Sequence, residues 1–265
     1  MHDFDYIKLI SLLQEINRPP GGKKALKRML DIASIMPSDR VLDVGCNTGF
    51  CTLETARLKK AQVTGVDISA DMISSAKALL TKESDSIQKI VTYQQGDAMN
   101  LPFDDKVFDF VFSGGSTVFV SDIPKVLKEY KRVVKDWGMI GELVFFYKNA
   151  FPTDIVNEIN KKLNINIQYW NLDWWLNQYK SAGLEIFEYY VSETEIVDLD
   201  KISDYVDTLV DSFIGSQENR NYISTNKAKL IDLYSLFNKN NQYLMCGIFI
   251  LRNRFLPEEP YLFAS

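Results

Sequence analysis

The amino-acid sequence predicts an α/β protein: a doubly wound, mostly parallel seven-stranded sheet with a helical insertion between its last two strands. Three observations lead there. Between residues 40 and 146, short apolar runs of strand type alternate with segments of helical periodicity, the signature of a parallel sheet covered on both faces. A glycine-bearing turn, residues 45–49, joins the first such run to its helix. Beyond residue 183 the pattern changes: two strand-type runs flank a pair of amphipathic helices, as in an antiparallel pair interrupted by an insertion.

Taken in order, Leu9, Leu12, Leu13 and Ile16 recur at helical spacing over residues 4–16, and Asn17-Arg18-Pro19-Pro20-Gly21-Gly22 breaks that helix. Leu26, Met29, Leu30 and Ala33 mark a second helix that ends before Pro37. Residues 40–44 read as a buried strand, 50–58 as a helix and 63–67 as a second strand, and Met72, Ala76, Leu79 and Leu80 line the next helix. Strands follow at 90–93 and 108–113, the latter bounded by Gly114-Gly115. A helix carrying Val126, Tyr130, Val133 and Val134 ends near Gly138, and 139–146 form a fifth strand. A helix at 172–182 stops at Gly183, and strands at 184–191 and 243–252 close the sheet.

Between those two strands, Ile202, Tyr205, Val206, Leu209, Val210 and Phe213 form one apolar stripe. Leu230, Leu233, Tyr234 and Phe237 form another, with a polar break over 215–221. The expected organisation is a core of residues 1–192 and 243–265 with an N-terminal lid helix, and an insertion at 193–242. Three roles are open to the insertion: a cap on the active site, ordinary core, or a dimer contact.

Composition narrows the function. A chain of 265 residues, 46% hydrophobic, suffices for one sizeable core. A net charge of −5 and no dense Lys/Arg block argue against a nucleic-acid partner. Cys46, Cys51 and Cys246 have neither disulfide-framework nor zinc spacing, which favours a reducing cytoplasm. The only histidine is His2, so neither a histidine-ligated metal nor a histidine-based triad is expected. The N-terminus lacks the charge pattern of a signal peptide, and no stretch is apolar enough to span a bilayer.

Asp43, Asp67 and Asp97 stand at strand ends or just beyond. In an open α/β sheet, ligands bind outside the carboxyl ends of the strands where the winding reverses. An acidic residue closing the second strand is placed to accept hydrogen bonds from ribose hydroxyls. A lone aspartate there is more often a turn or helix cap; three together favour a ligand. A dinucleotide fits poorly, because its glycine fingerprint would fall on Gly45, Asn47 and Phe50. Asp43 would also repel a pyrophosphate.

The motifs VLDVGCNTGF (41–50), VTGVDIS (63–69) and GDAMNLPFDDKVFDFVFSGG (96–115) resemble those of class I S-adenosylmethionine-dependent methyltransferases. The likeness spans roughly residues 20–146 and is nearest to the ubiquinone/menaquinone-biosynthesis and small-molecule branch. The resemblance implies a Rossmann-like methyltransferase fold, S-adenosylmethionine as cofactor and S-adenosylhomocysteine as product. It implies that Asp43 belongs to the cofactor-binding set, that Gly45, Cys46 and Asn47 line the methionine half, and that Asp67 holds the ribose. Ile68 and Met72 would lie against the adenine, Asp97 and the Ala98 N–H would meet its edge, and Ser113 and Gly114 would lie near the methionine moiety and methyl. Asn47 replaces a glycine common in the family; asparagine tolerates left-handed φ better than most residues.

Methyl transfer from a sulfonium needs alignment and dryness rather than a triad, so no catalytic residue is assigned. Tyr147, Trp170 and Trp174 are the candidates to wall a small-molecule acceptor, and Trp174 with Trp175 also reads as ordinary helix packing. Arg18 and Lys23 are candidates for the methionine carboxylate, and Glu142 reads as an edge-facing surface charge. The expected protein is a cytoplasmic monomer or homodimer without membrane contact. Rival readings are a non-catalytic cofactor-binding partner subunit and a nucleotide-cofactor oxidoreductase.

Overall fold

A computed structural model describes residues 4–15 and 18–253; His2, Ile16, Asn17 and the end of the chain lie outside them. One sheet contains β1 (Arg40–Val44), β2 (Gln62–Asp67), β3 (Val91–Gln95), β4 (Phe108–Ser113), β5 (Val134–Tyr147), β6 (Glu185–Glu193) and β7 (Leu244–Arg252). Their spatial order is β3-β2-β1-β4-β5-β7-β6. The first five are parallel, and β7 runs antiparallel between β5 and β6. The winding reverses between β1 and β4, so a crevice opens at their carboxyl ends.

The pleat sorts the core. Val41 of β1 joins Phe110, Phe112 and Leu143 on one face, while Leu42 and Val44 join Val111, Ile140 and Val144 on the other. The first face is covered by α2 (Gly22–Ile32), α3 (Phe50–Lys59), α4 (Ala70–Leu80) and the short α5 (Asp85–Gln88). The second is covered by α6 (Ile123–Val133) and α8 (Leu172–Ser181). In α6 the Asp122 side chain accepts from the Lys125 N–H, capping the start, and Pro124 sits in the first turn. Ile123, Val126, Leu127, Tyr130 and Val133 then bury one helical face.

Several boundaries differ from the sequence expectation. Strand β5 begins at Val134, not 139, after a register irregularity opposite β4. Gly138 lies inside that strand, where an added Cβ would sit 2.7 Å from the Asp109 carbonyl; close backbone approach, not a helix stop, requires it. The first helix, α1 (Tyr6–Leu12), is shorter than its leucine stripe suggests. Two more elements lie outside that expectation: α7 (Thr153–Leu163), whose Ile155, Val156, Ile159 and Leu163 recur at helical spacing, and a 3₁₀ turn at Ser116–Phe119.

The insertion holds α9 (Leu199–Asp211) and α10 (Gln217–Asn241). The latter starts within the expected polar break because Ser216 caps it, accepting from the Asn219 N–H. These two helices do not join either sheet face. Val206, Ile223 and Leu230 close on Leu9 and Leu13 of the N-terminal segment, making a separate apolar cluster. Among the described residues, no helix is long and apolar enough to cross a membrane.

Candidate functional site

Strand β1 delivers Asp43 and the turn at 45–49 into the crevice. Gly45 has a φ of 72°, and its N–H and that of Cys46 donate to the Val66 carbonyl at 2.8 and 3.0 Å. A Cβ on Gly45 would lie 2.0 Å from the Ser116 hydroxyl, so only glycine lets the turn pack against the end of β4. Asn47 has a φ of 51°, and its side-chain oxygen accepts from the Thr48 N–H at 2.7 Å. The left-handed conformation that asparagine tolerates is therefore used and locally capped.

Asp67 is locked to that turn. One carboxylate oxygen accepts from the Asn47 N–H and the other from the Ser69 N–H, each at 2.9 Å. Burial pushes its pKa up, and the backbone donors of Ser69 and Asn47 oppose the shift. Asp43 is fully buried on the α3 side. One of its oxygens accepts from the Thr52 hydroxyl at 2.6 Å; the other has no hydrogen-bond partner among the described residues. Burial, reinforced by the charge of Asp67, pushes its carboxyl up to about 7. The buried Cys46 thiol is pushed well up by burial and then by Asp43 and Asp67, which makes it a poor nucleophile.

The loop after β3 folds onto the same place. The Gly96 N–H donates to the Asp67 carbonyl at 3.0 Å, and the Gln95 amide donates to the Ile68 carbonyl at 3.0 Å. Asp97 and half-buried Ala98 thus stand beside Asp67, with an Asp97 oxygen accepting from the Met99 N–H at 2.8 Å. Ile68 is exposed at the rim, and Met72 is buried on α4. Ser113 is buried and shares a 2.9 Å hydrogen bond with Ser116, whose hydroxyl also donates to the Val44 carbonyl. Gly114 lies against Cys51 and Pro19. The expected cofactor residues therefore gather around the ends of β1, β2 and β4.

The acceptor candidates sit elsewhere, in the packed clusters at the end of β5 and under α8. Tyr147 ends β5, buried, with its N–H on the Trp170 carbonyl at 2.9 Å and its ring edge-on to Phe151. Trp170 and Trp174 pack with Trp175 in the cluster under α8. Lys23 is held by Glu54 at 2.5 Å, so of the two basic candidates only exposed Arg18 has no ion pair shown. Glu142 corrects the sequence reading. It is not on an edge but wholly buried in the sheet between β4 and β7. One oxygen accepts from the Thr117 hydroxyl at 3.1 Å, and burial pushes its carboxyl up to about 8. Its strand looked marginal because nothing local announces that β7 and β6 add beyond it.

Sequence reasoning also passed over Glu15, and it read Tyr205 and Tyr234 only as members of apolar stripes. The Thr48 hydroxyl donates to the Glu15 carbonyl at 2.7 Å, which fixes Glu15 beside the glycine turn. The buried Glu15 carboxylate accepts from the hydroxyls of Tyr205, at 3.3 Å, and Tyr234. These residues are about 190 and 219 positions apart, so no local pattern links them.

The donor set at the turn decides which cofactor fits. It consists of carboxylates and backbone N–H groups, with an open oxygen on Asp43, and no basic side chain bonds Asp43 or Asp67 among the described residues. That environment opposes a pyrophosphate and suits a nucleoside with ribose hydroxyls and positive charge. Fold and turn together define an adenosyl-cofactor-binding α/β protein, and S-adenosylmethionine has the matching charge.

Comparison with known proteins agrees. Residues 42–140 match the family model described as a methyltransferase domain. A demethylmenaquinone methyltransferase of Staphylococcus epidermidis is 37% identical over 116 residues, 43% of this chain and 46% of that protein. A sterol 24-C-methyltransferase of Gibberella zeae is 29% identical over 160 residues, 58% of this chain and 42% of that protein. The matches thus span about half the length of these relatives. A crystal structure of MccD protein superposes with a TM-score of 0.74 at 20% identity, covering 90% of this chain and all of that one, a likeness of fold. Over residues 42–140 the chain is therefore similar to the methyltransferase-domain family, and over a matched stretch of 116 residues to a demethylmenaquinone methyltransferase.

Proposed function

We propose that this protein transfers the methyl group of S-adenosylmethionine to a small-molecule acceptor enclosed between the sheet edge and the α1, α9 and α10 helices. The observation that carries the reading is the convergence of Asp43 and Asp67 on one glycine-bearing turn, with Asn47 left-handed and bonded to Asp67, and with the loop of Asp97 tied to Asp67 through the Gly96 N–H. In this reading Asp67 holds the ribose, Asp97 and Ala98 the adenine edge, and Ile68 and Met72 its faces. Asp43, Gly45, Cys46 and Asn47 hold the methionine half, and Ser113 and Gly114 border the methyl. When bound, S-adenosylmethionine supplies an activated methyl group on a sulfonium. The chain's own contribution is alignment and exclusion of water by α1 and the insertion 193–242, which together act as a lid on the core. Tyr147 and Trp170 with Trp174 back the acceptor side. The protein works in the cytoplasm as a monomer or homodimer, without a nucleic-acid partner.

Calorimetry with S-adenosylhomocysteine tests this. The wild type should bind it, and Asp67→Ala should bind about 10- to 100-fold more weakly while keeping its fold, since two charge-assisted hydrogen bonds are lost. A folded Asp67→Ala with unchanged affinity removes the ribose assignment.

A further inference from the structure

Beneath the lid, the side chain of Glu15 is a buried carboxylate that makes no ion pair among the described residues; the charge of Arg18 acts on its neighbour Tyr205. Burial raises its pKa, and the Tyr234 and Tyr205 hydroxyls on its two oxygens oppose the rise. Neutral phenols recover only part of what a carboxylate loses on leaving water; a cation recovers more. Around it stand aromatic rings from three helices. Tyr205 and Tyr234 are 6.3 Å apart, Tyr234 stacks on Phe237 at 6.1 Å, and Tyr6 meets Phe237 edge-on at 6.3 Å. Tyr205 is 41% exposed at the surface end of this group, Glu15 is buried at its inner end, and Tyr6 and Tyr234 pack against the neighbouring apolar cluster.

The location ties this group to the methyl-transfer site. Glu15 is bonded to Thr48 of the cofactor turn, and the chain just beyond it sets Pro19 and Pro20 against Gly114 and Gly115 at the end of β4. Tyr6, Glu15, Tyr205 and Tyr234 all fall outside residues 42–140, the part matched to the family model. The acceptor of a relative therefore does not carry over to this pocket, and its own chemistry has to be read. A single buried negative charge walled by electron-rich ring faces selects an organic cation over a neutral or anionic group.

We propose that Glu15, Tyr6, Tyr205 and Tyr234 form a recognition pocket for a cationic ammonium group on the methyl acceptor. This rests on the methyltransferase reading and names the class of its acceptor; it does not assign the atom methylated. The pocket holds the charged end while the rest of the acceptor reaches the crevice at Gly114.

The test is calorimetric titration of the full chain saturated with S-adenosylhomocysteine. The probes are choline and its neutral isostere 3,3-dimethylbutan-1-ol. Choline should bind at least about tenfold more tightly, and Glu15→Gln should erase that preference while leaving S-adenosylhomocysteine affinity unchanged. Equal affinity for the two probes, or binding of neither, overturns the proposal. A second arm compares S-adenosylmethionine with S-adenosylhomocysteine: if Glu15→Gln selectively weakens the sulfonium form, the pocket houses the cofactor's own charge and the acceptor assignment falls. Should Glu15→Gln not fold, Tyr205→Phe, at the exposed end, should still weaken choline about threefold, and an unchanged affinity overturns the pocket. A wild type that binds no S-adenosylhomocysteine sinks the cofactor reading instead, and choline against the free protein still decides the pocket.

Discussion

Glu142 is a carboxyl group placed where water does not reach. Its oxygen on Thr117 is satisfied, and Thr117 in turn shares a hydrogen bond with Tyr130 at 3.3 Å. The other oxygen has no hydrogen-bond partner among the described residues. The folded state keeps the proton up to about pH 8, whereas an unfolded glutamate releases it near pH 4.3. The stabilisation is therefore complete below the unfolded value and is lost as pH rises through the folded one. Asp43, raised to about 7, adds a loss of the same sign. Urea unfolding should show the wild type less stable at pH 8 than at pH 5 by a few kcal/mol, at a slope approaching ~1.4 kcal/mol per pH unit for each group. Glu142→Gln keeps an acceptor for Thr117 and removes one titration, so its stability should change less over that range. Parallel pH dependences for the two proteins would falsify the buried-acid account.

At the level of elements, α1 and the insertion form a unit apart from the two sheet faces. Leu9, Leu13, Val206, Ile223 and Leu230 form a cluster distinct from those on the two sheet faces. It meets the body where α1 packs on α4 and α10 on α7 and β7, with polar anchors from Ser11 to Ser75 at 2.7 Å and from Thr48 to the Glu15 carbonyl. Small apolar clusters with few polar anchors open at lower free energy than the body they cover. Leu230→Ala should cost about 2–5 kcal/mol, confined to this unit. Hydrogen exchange should speed up in α1, α9 and α10, while β1, β4 and β5 keep their protection. Uniform loss of protection across the sheet would show that this unit and the core unfold together.

The whole molecule should respond to its cofactor by mass action. At 100 times its dissociation constant, a ligand specific for the folded state adds ~2.7 kcal/mol, which corresponds to a rise of roughly 5–10 °C in Tm for a chain of this size. S-adenosylhomocysteine should produce that shift, and NADH and NADPH should not, because the turn sets carboxylates where a pyrophosphate needs positive charge. A shift with either dinucleotide and none with S-adenosylhomocysteine would favour an oxidoreductase. The crevice at the β1 and β4 ends is the place to look. The groove lined by Asp39, Lys135 and Met139 lies at the opposite, amino end of the strands and gathers none of these groups.

Much of this was legible locally. Strand and helix periods set the order of the elements in the core, and short motifs at strand ends brought Asp43, Gly45, Asn47, Asp67 and Asp97 to attention before any coordinates. Even the asparagine at a glycine position was readable, since its left-handed φ depends on its own side chain. What stayed hidden depends on residues far apart in the chain. Gly138 looked like a helix stop because its neighbour, the Asp109 carbonyl, comes from another strand. Glu142 looked like a surface charge because burial of β5 is decided by β7, which arrives a hundred residues later. Glu15 meets Tyr205 and Tyr234 only once α1 and the insertion close on each other. The sequence by itself determined the class of fold and the cofactor turn, because both rest on short-range backbone geometry and spacing. The tertiary structure alone decided which carboxylates are buried and what faces them, because burial and charge pairing are set by which distant segments share a space.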